Sequence, residues 1–161
     1  MDKQEIPRMN HKKIGVPFAE QRLEGRTDSD TLFSSVKSIC GYRCVKLFVH
    51  LLTQFICIAS LRREKDNHGS YQDYIREVGT PNILFKDNAK SRVGKNWTET
   101  YQNNKTQQIM SEPNKQKQKK LEQMVNDVNH RVDYTLFASQ APILFLCCCM
   151  QYVVCCLNLM S

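Results

Sequence analysis

The sequence predicts an α/β domain in which helices pack against a mixed β-sheet. Three short β-rich runs come first, and helical and strand-like segments then alternate toward the C-terminus. The length of 161 residues suits one domain, and a hydrophobic content of 41% is sufficient for a buried core. Consecutive strands followed by alternating helices and strands are typical of a sheet with both antiparallel and parallel pairs.

Three consecutive strands are predicted in the first half of the chain. They are DTLFSSV at 30–36, RCVKLFVH at 43–50 and QFICIASL at 54–61, and each contains several β-branched or aromatic residues. A turn around Gly41 separates the first two runs, and a brief link at 51–53 separates the second from the third. Such short connections predict antiparallel pairing.

Helices and strands alternate in the next part of the chain. YQDYIREVG at 71–79 has apolar residues at helical spacing and ends on a glycine suited to a C-cap. An apolar run follows at 81–90, then a helical pattern at 94–104 and a strand-like run at 106–110. This order predicts that two further strands join the sheet.

A basic loop at 111–120 precedes a long predicted helix. The loop contains a proline and several lysines, so it is expected to be irregular. An apolar stripe at helical spacing then predicts one buried helix face. The stripe consists of Leu121, Met124, Val125, Val128 and Val132.

These patterns divide the chain into three parts. Residues 1–27 form a polar N-terminal arm, 28–139 the α/β domain, and 140–161 an apolar C-terminal helix. Residues 143–160 contain no charge and reach the length of a short membrane span, although a buried helix can be equally apolar. Composition alone leaves both possibilities open.

Charge and cysteine usage narrow the function classes. The net charge of +7 favours nucleic acid or an acidic membrane face as partner, and it also suits an ordinary soluble surface. No apolar run resembling a signal peptide occurs in the first twenty residues, so we expect an intracellular protein, nuclear or cytoplasmic and not secreted. Five of the eight cysteines lie in the apolar C-terminal segment, and the histidines are scattered, so zinc is not expected.

Three acidic residues occupy positions suited to metal chemistry. Asp30 opens the first predicted strand, Asp87 ends a later one, and Glu122 lies in the first turn of the long helix. Strand ends and helix starts can meet at one edge of a sheet, and three carboxylates there can hold hard divalent cations. Each acid taken alone also suits a turn, a cap or a solvated first helical turn.

Four segments resemble the integrase catalytic domain of retroviruses and long-terminal-repeat retrotransposons, most closely the copia-type branch. They cover about residues 28–161 and occur in the order typical of that family. In chain order they read TDSDTLFSSVKSICGYRC, REVGTPNILFKDNAK, SEPNKQKQKKLEQMVNDVNHR and QAPILFLCCCMQYVVCCLNLMS.

The resemblance implies a ribonuclease-H-like fold with a five-stranded mixed sheet flanked by helices. It also implies a triad of Asp30, Asp87 and Glu122 that binds Mg²⁺ or Mn²⁺. Asp28 competes for the first acidic position, but Asp30 is preferred because Thr31 and an apolar strand follow it directly. The apolar ending at 143–160 is accordingly expected to pack against the protein, and membrane association is not expected.

The function implied is DNA integration by metal-dependent phosphoryl transfer, with DNA as partner and a homo-oligomer as the functional state. Lys115, Lys117, Lys119 and Lys120 would contact phosphates. The family usually has amides just before the glutamate, where this sequence has lysines. That departure supports an alternative, a degenerate, non-catalytic nucleic-acid-binding fragment of a polyprotein. A tail-anchored membrane protein is a further alternative.

Overall fold

The computed structural model describes residues 22–86, 95–110 and 119–160. Within these ranges the chain forms one five-stranded sheet. Its strands are β1 (Arg22–Phe33), β2 (Cys44–His50), β3 (Ile56–Leu61), β4 (Thr80–Lys86) and β5 (Gln107–Met110). The helices of eight residues or more are α1 (Asn67–Glu77), α2 (Lys95–Asn103), α3 (Lys119–Ser139) and α4 (Leu146–Met160).

The sheet is mixed, as the order of elements predicted. Its strand order is β3-β2-β1-β4-β5. The first three strands pair antiparallel in sequence order, whereas β4 lies parallel to β1 and β5 lies parallel to β4. The five-stranded α/β architecture expected from the sequence is therefore confirmed.

Alternation along β2 separates two apolar clusters on the two faces of the sheet. Val45, Leu47 and Val49 are buried in the cluster formed with α3 and α4. Phe48 faces the opposite side, where its ring stacks on Tyr74 of α1 at a centroid distance of 4.7 Å. Successive side chains of a strand point to opposite faces, so β2 contributes to both clusters and is buried along its whole length.

Helix α3 carries the apolar stripe that the sequence predicted. Leu121, Val125, Val128 and Val132 are buried in the cluster with β2, and Met124 packs partly buried against it. The helix therefore lies along one face of the sheet with its polar side outward. We refer to this side of the sheet as the α3 face.

Strand β1 begins at Arg22, well before the predicted first strand at 30–36 and within the predicted arm at 1–27. Its early part pairs in parallel with β4, with Leu23 opposite Pro81. This partner lies far away in sequence, so the polar composition of the early segment did not reveal a strand. The prediction of where the first strand starts was wrong for that reason.

A bulge interrupts β1 near Gly25. The register with β4 shifts between Leu23 and Arg26, and Gly25 has a φ of 102° that other residues rarely adopt. The buried ring of His50 stabilises this kink, because its Nε2 donates to the carbonyl oxygen of Glu24 at 2.9 Å. A glycine is therefore required at the point where the strand bends.

The apolar C-terminal segment packs on the domain through α4. Ile143–Met160 is long and apolar enough to cross a membrane, yet α4 contacts both α3 and β3. Asn158 anchors it, since its Oδ1 accepts from the backbone N–H of Ile56 at 2.9 Å and its Nδ2 donates to the Ile56 carbonyl at 2.7 Å. One of the two amides within the segment thus bonds to β3, an edge strand of the sheet.

Replacing Asn158 with alanine should destabilise the protein by about 1–3 kcal/mol, because two backbone groups of Ile56 lose their partner. Urea unfolding monitored by circular dichroism measures the change. Gln151→Ala is the matched control, since this residue is exposed on the same helix and should change stability by less than about 0.5 kcal/mol. Equal effects of the two substitutions would contradict the anchoring role.

Candidate active site

Two of the candidate acids lie on β1 and face the same side of the sheet. Asp28 and Asp30 are two residues apart, so their side chains point to the same face. Their register partners on β2 are Val49 and Leu47, and both of these are buried under α3. Both aspartates therefore lie on the α3 face, but their surroundings differ.

Asp28 is fully buried and bound by an arginine. Arg26 donates from Nη2 to one carboxylate oxygen at 2.7 Å and from Nε to the other. The same guanidinium stacks on the ring of Phe85 in β4, with its central carbon 3.8 Å from the ring centroid. Both oxygens of Asp28 are thus engaged in a bidentate ion pair.

Burial raises the pKa of Asp28 above its ordinary value, although the hydrogen bond and charge of Arg26 act in the opposite direction. The cost of desolvating the carboxylate therefore exceeds what the arginine returns. Arg26 thus stabilises the ionised form of Asp28, and this carboxylate is bound within the protein.

Asp30 is half-buried and differently placed. Its Oδ1 accepts a hydrogen bond from the backbone N–H of Thr31 at 2.7 Å, and no cationic side chain in the described part of the chain pairs with it. Its second oxygen is not engaged by any described hydrogen bond. Of the two aspartates of β1, Asp30 is the one with a carboxylate available to a ligand.

The second predicted acid, Asp87, lies outside the described residues. It directly follows Lys86, the last residue of β4, and Lys86 pairs with Ser29 of β1. The residues that directly follow Ser29 and Lys86 in the sequence are Asp30 and Asp87. The observed pairing therefore ends immediately before both predicted acids.

Glu122 is exposed in the first turn of α3. Its neighbour Leu121 is buried in the same cluster as Leu47, the register partner of Asp30. Asp30 and the helix that carries Glu122 thus share the α3 face. Within residues 22–86, 95–110 and 119–160, no three His, Cys, Asp or Glu side chains are grouped so that they could hold a metal ion. The triad of three acids stays a prediction.

The predicted phosphate-binding lysines are described only in part. Lys115 and Lys117 lie outside the described residues. Lys119 begins α3, but its side chain is not among those described, and Lys120 is exposed on the next position of the helix. Their contact with DNA stays a prediction.

Two buried lysines on the opposite face were not singled out from the sequence. Lys46 donates to the hydroxyl of Thr31 at 3.2 Å, and the ammonium of Lys86 lies 5.5 Å from the ring centroid of Tyr101. Burial, with a further contribution from the charge of Lys46, lowers the pKa of Lys86 to about 7. The signal for them was a lysine within each of the apolar runs CVKLFVH and ILFK.

The fold is that of retroviral integrase catalytic cores, the ribonuclease-H-like α/β fold. The HTLV-2 integrase catalytic core domain, solved in complex with magnesium, superposes in its dimeric form with a TM-score of 0.63 at 13% identity, covering 80% of this chain and 82% of that one. Its trimeric form gives a TM-score of 0.62 at 12% identity, with coverages of 80% and 81%.

A chain of the simian T-cell lymphotropic virus intasome has a TM-score of 0.63 at 12% identity. The match covers 88% of this chain but 49% of that one. No protein-family model matches the sequence, and no curated protein matches it significantly. At these low identities, the similarity to the integrase structures is one of fold alone.

The ion pair of Asp28 predicts how stability depends on pH. Because folding raises the pKa of this acid, the folded state holds the proton more tightly than the unfolded state. The stabilisation by protonated Asp28 is present below the pKa of the unfolded state, near 3.8. It is lost as the pH rises through the pKa of the folded state. Relative to Asp28→Asn, the wild type should therefore gain stability as the pH falls from 7 toward 4.

Urea unfolding of both proteins across this pH range measures the difference. Asp133→Asn, at an exposed position of α3, is the matched control and should follow the wild-type profile closely. A wild type that loses stability relative to Asp28→Asn on acidification would show that Arg26 outweighs burial.

Proposed function

We propose that this chain is a D-D-E integrase catalytic domain of the copia-type retrotransposon class, which joins DNA by metal-dependent phosphoryl transfer. The observation that carries the proposal is the placement of Asp30 and the helix of Glu122 on one face of a sheet with the integrase-core fold. The available carboxylate of Asp30 makes it the first acid, since Arg26 already occupies that of Asp28.

The second acid of the proposed site is Asp87. It is supported by the pairing of Ser29 with Lys86, because an aspartate directly follows each of these residues in the sequence. Glu122 would be the third acid. It follows the buried Leu121, and its exposed side chain is accessible to a ligand.

The donor chemistry of these residues suits a hard divalent cation. Carboxylate oxygens are the ligands that Mg²⁺ prefers, and the HTLV-2 core was solved with magnesium. Asp30, Asp87 and Glu122 would hold Mg²⁺ or Mn²⁺ here. When bound, such ions stabilise negative charge on the attacking and leaving oxygens of a phosphoryl transfer. The backbone N–H of Thr31 would orient the carboxylate of Asp30 for this role.

DNA is the proposed substrate. The net charge of +7 attracts a polyanion, and the basic residues Lys115, Lys117, Lys119 and Lys120 precede or begin the helix of Glu122. They would contact phosphates close to the acids without reading sequence. A homo-oligomer is the proposed functional state, as the HTLV-2 core occurs in dimeric and trimeric forms. We place the protein inside the cell, in the nucleus or cytoplasm.

A non-catalytic DNA-binding fragment is the second candidate. The observation that favours it is the sequence just before Glu122, which has lysines where the family usually has amides. In that case the basic segment would bind phosphates, but the acids would not assemble a metal site. Metal-dependent cleavage separates the two candidates.

Asp30→Asn and Glu122→Gln should each abolish the nicking or joining of DNA ends with Mg²⁺ or Mn²⁺, because a neutral amide is a weaker ligand for a hard cation. A labelled duplex incubated with purified protein measures the activity. Glu99→Gln, exposed on α2, is the matched control and should retain it. Cleavage that persists in Asp30→Asn but disappears in Asp28→Asn would reassign the first acid. Wild type that binds DNA without cleaving it would favour the second candidate.

Replacing Lys117 and Lys119 with glutamine should weaken DNA binding and reduce the salt dependence of log K by about one to two units, since each neutralised phosphate releases roughly 0.9 counterion. Fluorescence anisotropy at several salt concentrations measures the slope. Lys37→Gln is the matched control, because Lys37 is exposed on the connection between β1 and β2. An unchanged slope in the double variant would place the DNA contact elsewhere.

A further inference from the structure

Two exposed cysteines lie on segments that contact each other, the connection between β1 and β2 and the start of α4. Cys40 is exposed on that connection, Cys148 is exposed on the first turn of α4, and Cys147 is buried beside it. The sulfur atoms of Cys147 and Cys148 are 3.9 Å apart. These thiols are not among the acids proposed for catalysis, and their chemistry does not require those acids.

A backbone hydrogen bond holds the two segments together. The N–H of Ile39 donates to the carbonyl of Leu144 at 2.8 Å. Cys40 is the next residue after Ile39, and Cys148 lies four residues beyond Leu144, in the first turn of α4. The contact places Cys40 and Cys148 on neighbouring segments, and the charge of Cys40 contributes to the raised pKa of the Cys148 thiol.

We propose that Cys40 and Cys148 form a site of reversible oxidation, at which a peroxide converts the two thiols into an intramolecular disulfide. The Cys40 thiolate attacks hydrogen peroxide, its sulfur becomes a sulfenic acid, and water is released once the leaving hydroxide takes up a proton. Cys148 sulfur then attacks the Cys40 sulfur and loses its proton, and a second water leaves as the S–S bond forms. Two thiols and one peroxide thus give one disulfide and two waters.

Geometry excludes the nearest pair of sulfurs as the bridge. Cys147 and Cys148 are consecutive, and their Cα atoms are separated by only ~3.8 Å across a trans peptide. Disulfides usually require Cα atoms ~4.4–6.8 Å apart, and the α-helix keeps the intervening peptide regular. Cys40 comes from another segment of the chain and carries no such restriction.

The raised pKa of the Cys148 thiol indicates the order of the two steps. The hydrogen bond with Cys147 raises the pKa of Cys148, and the charge of Cys40 adds to this effect. Only the thiolate is a strong nucleophile, so the raised pKa disfavours the attack of Cys148 on free peroxide. It serves as the resolving thiol, which attacks a Cys40 sulfur that is already oxidised.

The disulfide would fix one wall of a cavity. A space of about 370 Å³ lies between the β1–β2 connection, α3 and α4, and its lining includes Val36, Tyr42, Leu146 and Cys147. A covalent link from Cys40 to Cys148 would join the β1–β2 connection to α4 beside this cavity. The oxidised protein should therefore unfold at a higher urea concentration than the reduced protein, and dithiothreitol should reverse the shift.

Peptide mapping of the full chain tests the proposal. The reduced protein is treated with hydrogen peroxide, its remaining thiols are blocked with N-ethylmaleimide, and trypsin digestion follows. Cleavage after Lys37, Arg43 and Arg131 isolates Cys40 in the peptide 38–43 and Cys148 in the peptide 132–161. We expect these two peptides to be joined, and dithiothreitol to separate them.

Single variants identify the sulfurs. Cys40→Ser and Cys148→Ser should each abolish the joined peptide, and both residues are exposed, so neither change disturbs the core. Cys155→Ser, exposed farther along the same helix, is the matched control and should leave the link intact. A link that survives in Cys148→Ser, a link only between molecules, or no link at all would overturn the proposal.

Discussion

The parallel pairing of β1 with β4 is the constraint on which the rest of the structure depends. β1 is the middle strand of the sheet, and β4 can lie parallel to it only if the chain crosses over between them. The chain does so through β2, β3 and α1, and α1 covers the face opposite to α3. The same pairing ends at Ser29 and Lys86, and an aspartate directly follows each of these residues in the sequence.

Asp28 and Asp30 lie on one face of β1, but one carboxylate is buried and paired while the other is half-buried and available to a ligand. Arg26 and Phe85 enclose Asp28, so its carboxylate is desolvated and fully paired. Asp30 is one pleat farther along, where Thr31 N–H provides a single hydrogen bond and the side chain is less buried. The ion pair of Asp28 with Arg26 therefore lies on β1 just before Asp30, the acid proposed to bind metal.

Local patterns predicted most elements, since β2, β3, α1 and α3 are each defined by their own periodicity. The start of β1 could not be predicted, because the residues around Gly25 are polar, bulged and held by a distant partner strand. For the site, the sequence predicted only that strand ends and a helix start could meet at one edge of the sheet. The structure adds that Asp30 and the helix that carries Glu122 share the α3 face. The pairing of Asp28 with Arg26 was not evident, because a spacing of two residues along a strand did not reveal that Asp28 would be buried.

The apolar ending shows why composition alone left two possibilities open. A membrane span and a packed helix can have the same hydropathy, and what distinguishes them is where their polar groups find partners. β3 is one of the two edge strands of the sheet, so the backbone N–H and carbonyl of Ile56 would otherwise lack partners there. Asn158 bonds to both of them. One of the two amides that interrupt the apolar run thus satisfies the backbone of Ile56, and its two hydrogen bonds add to the apolar packing of Met150, Val153 and Val154 that holds α4 on the domain.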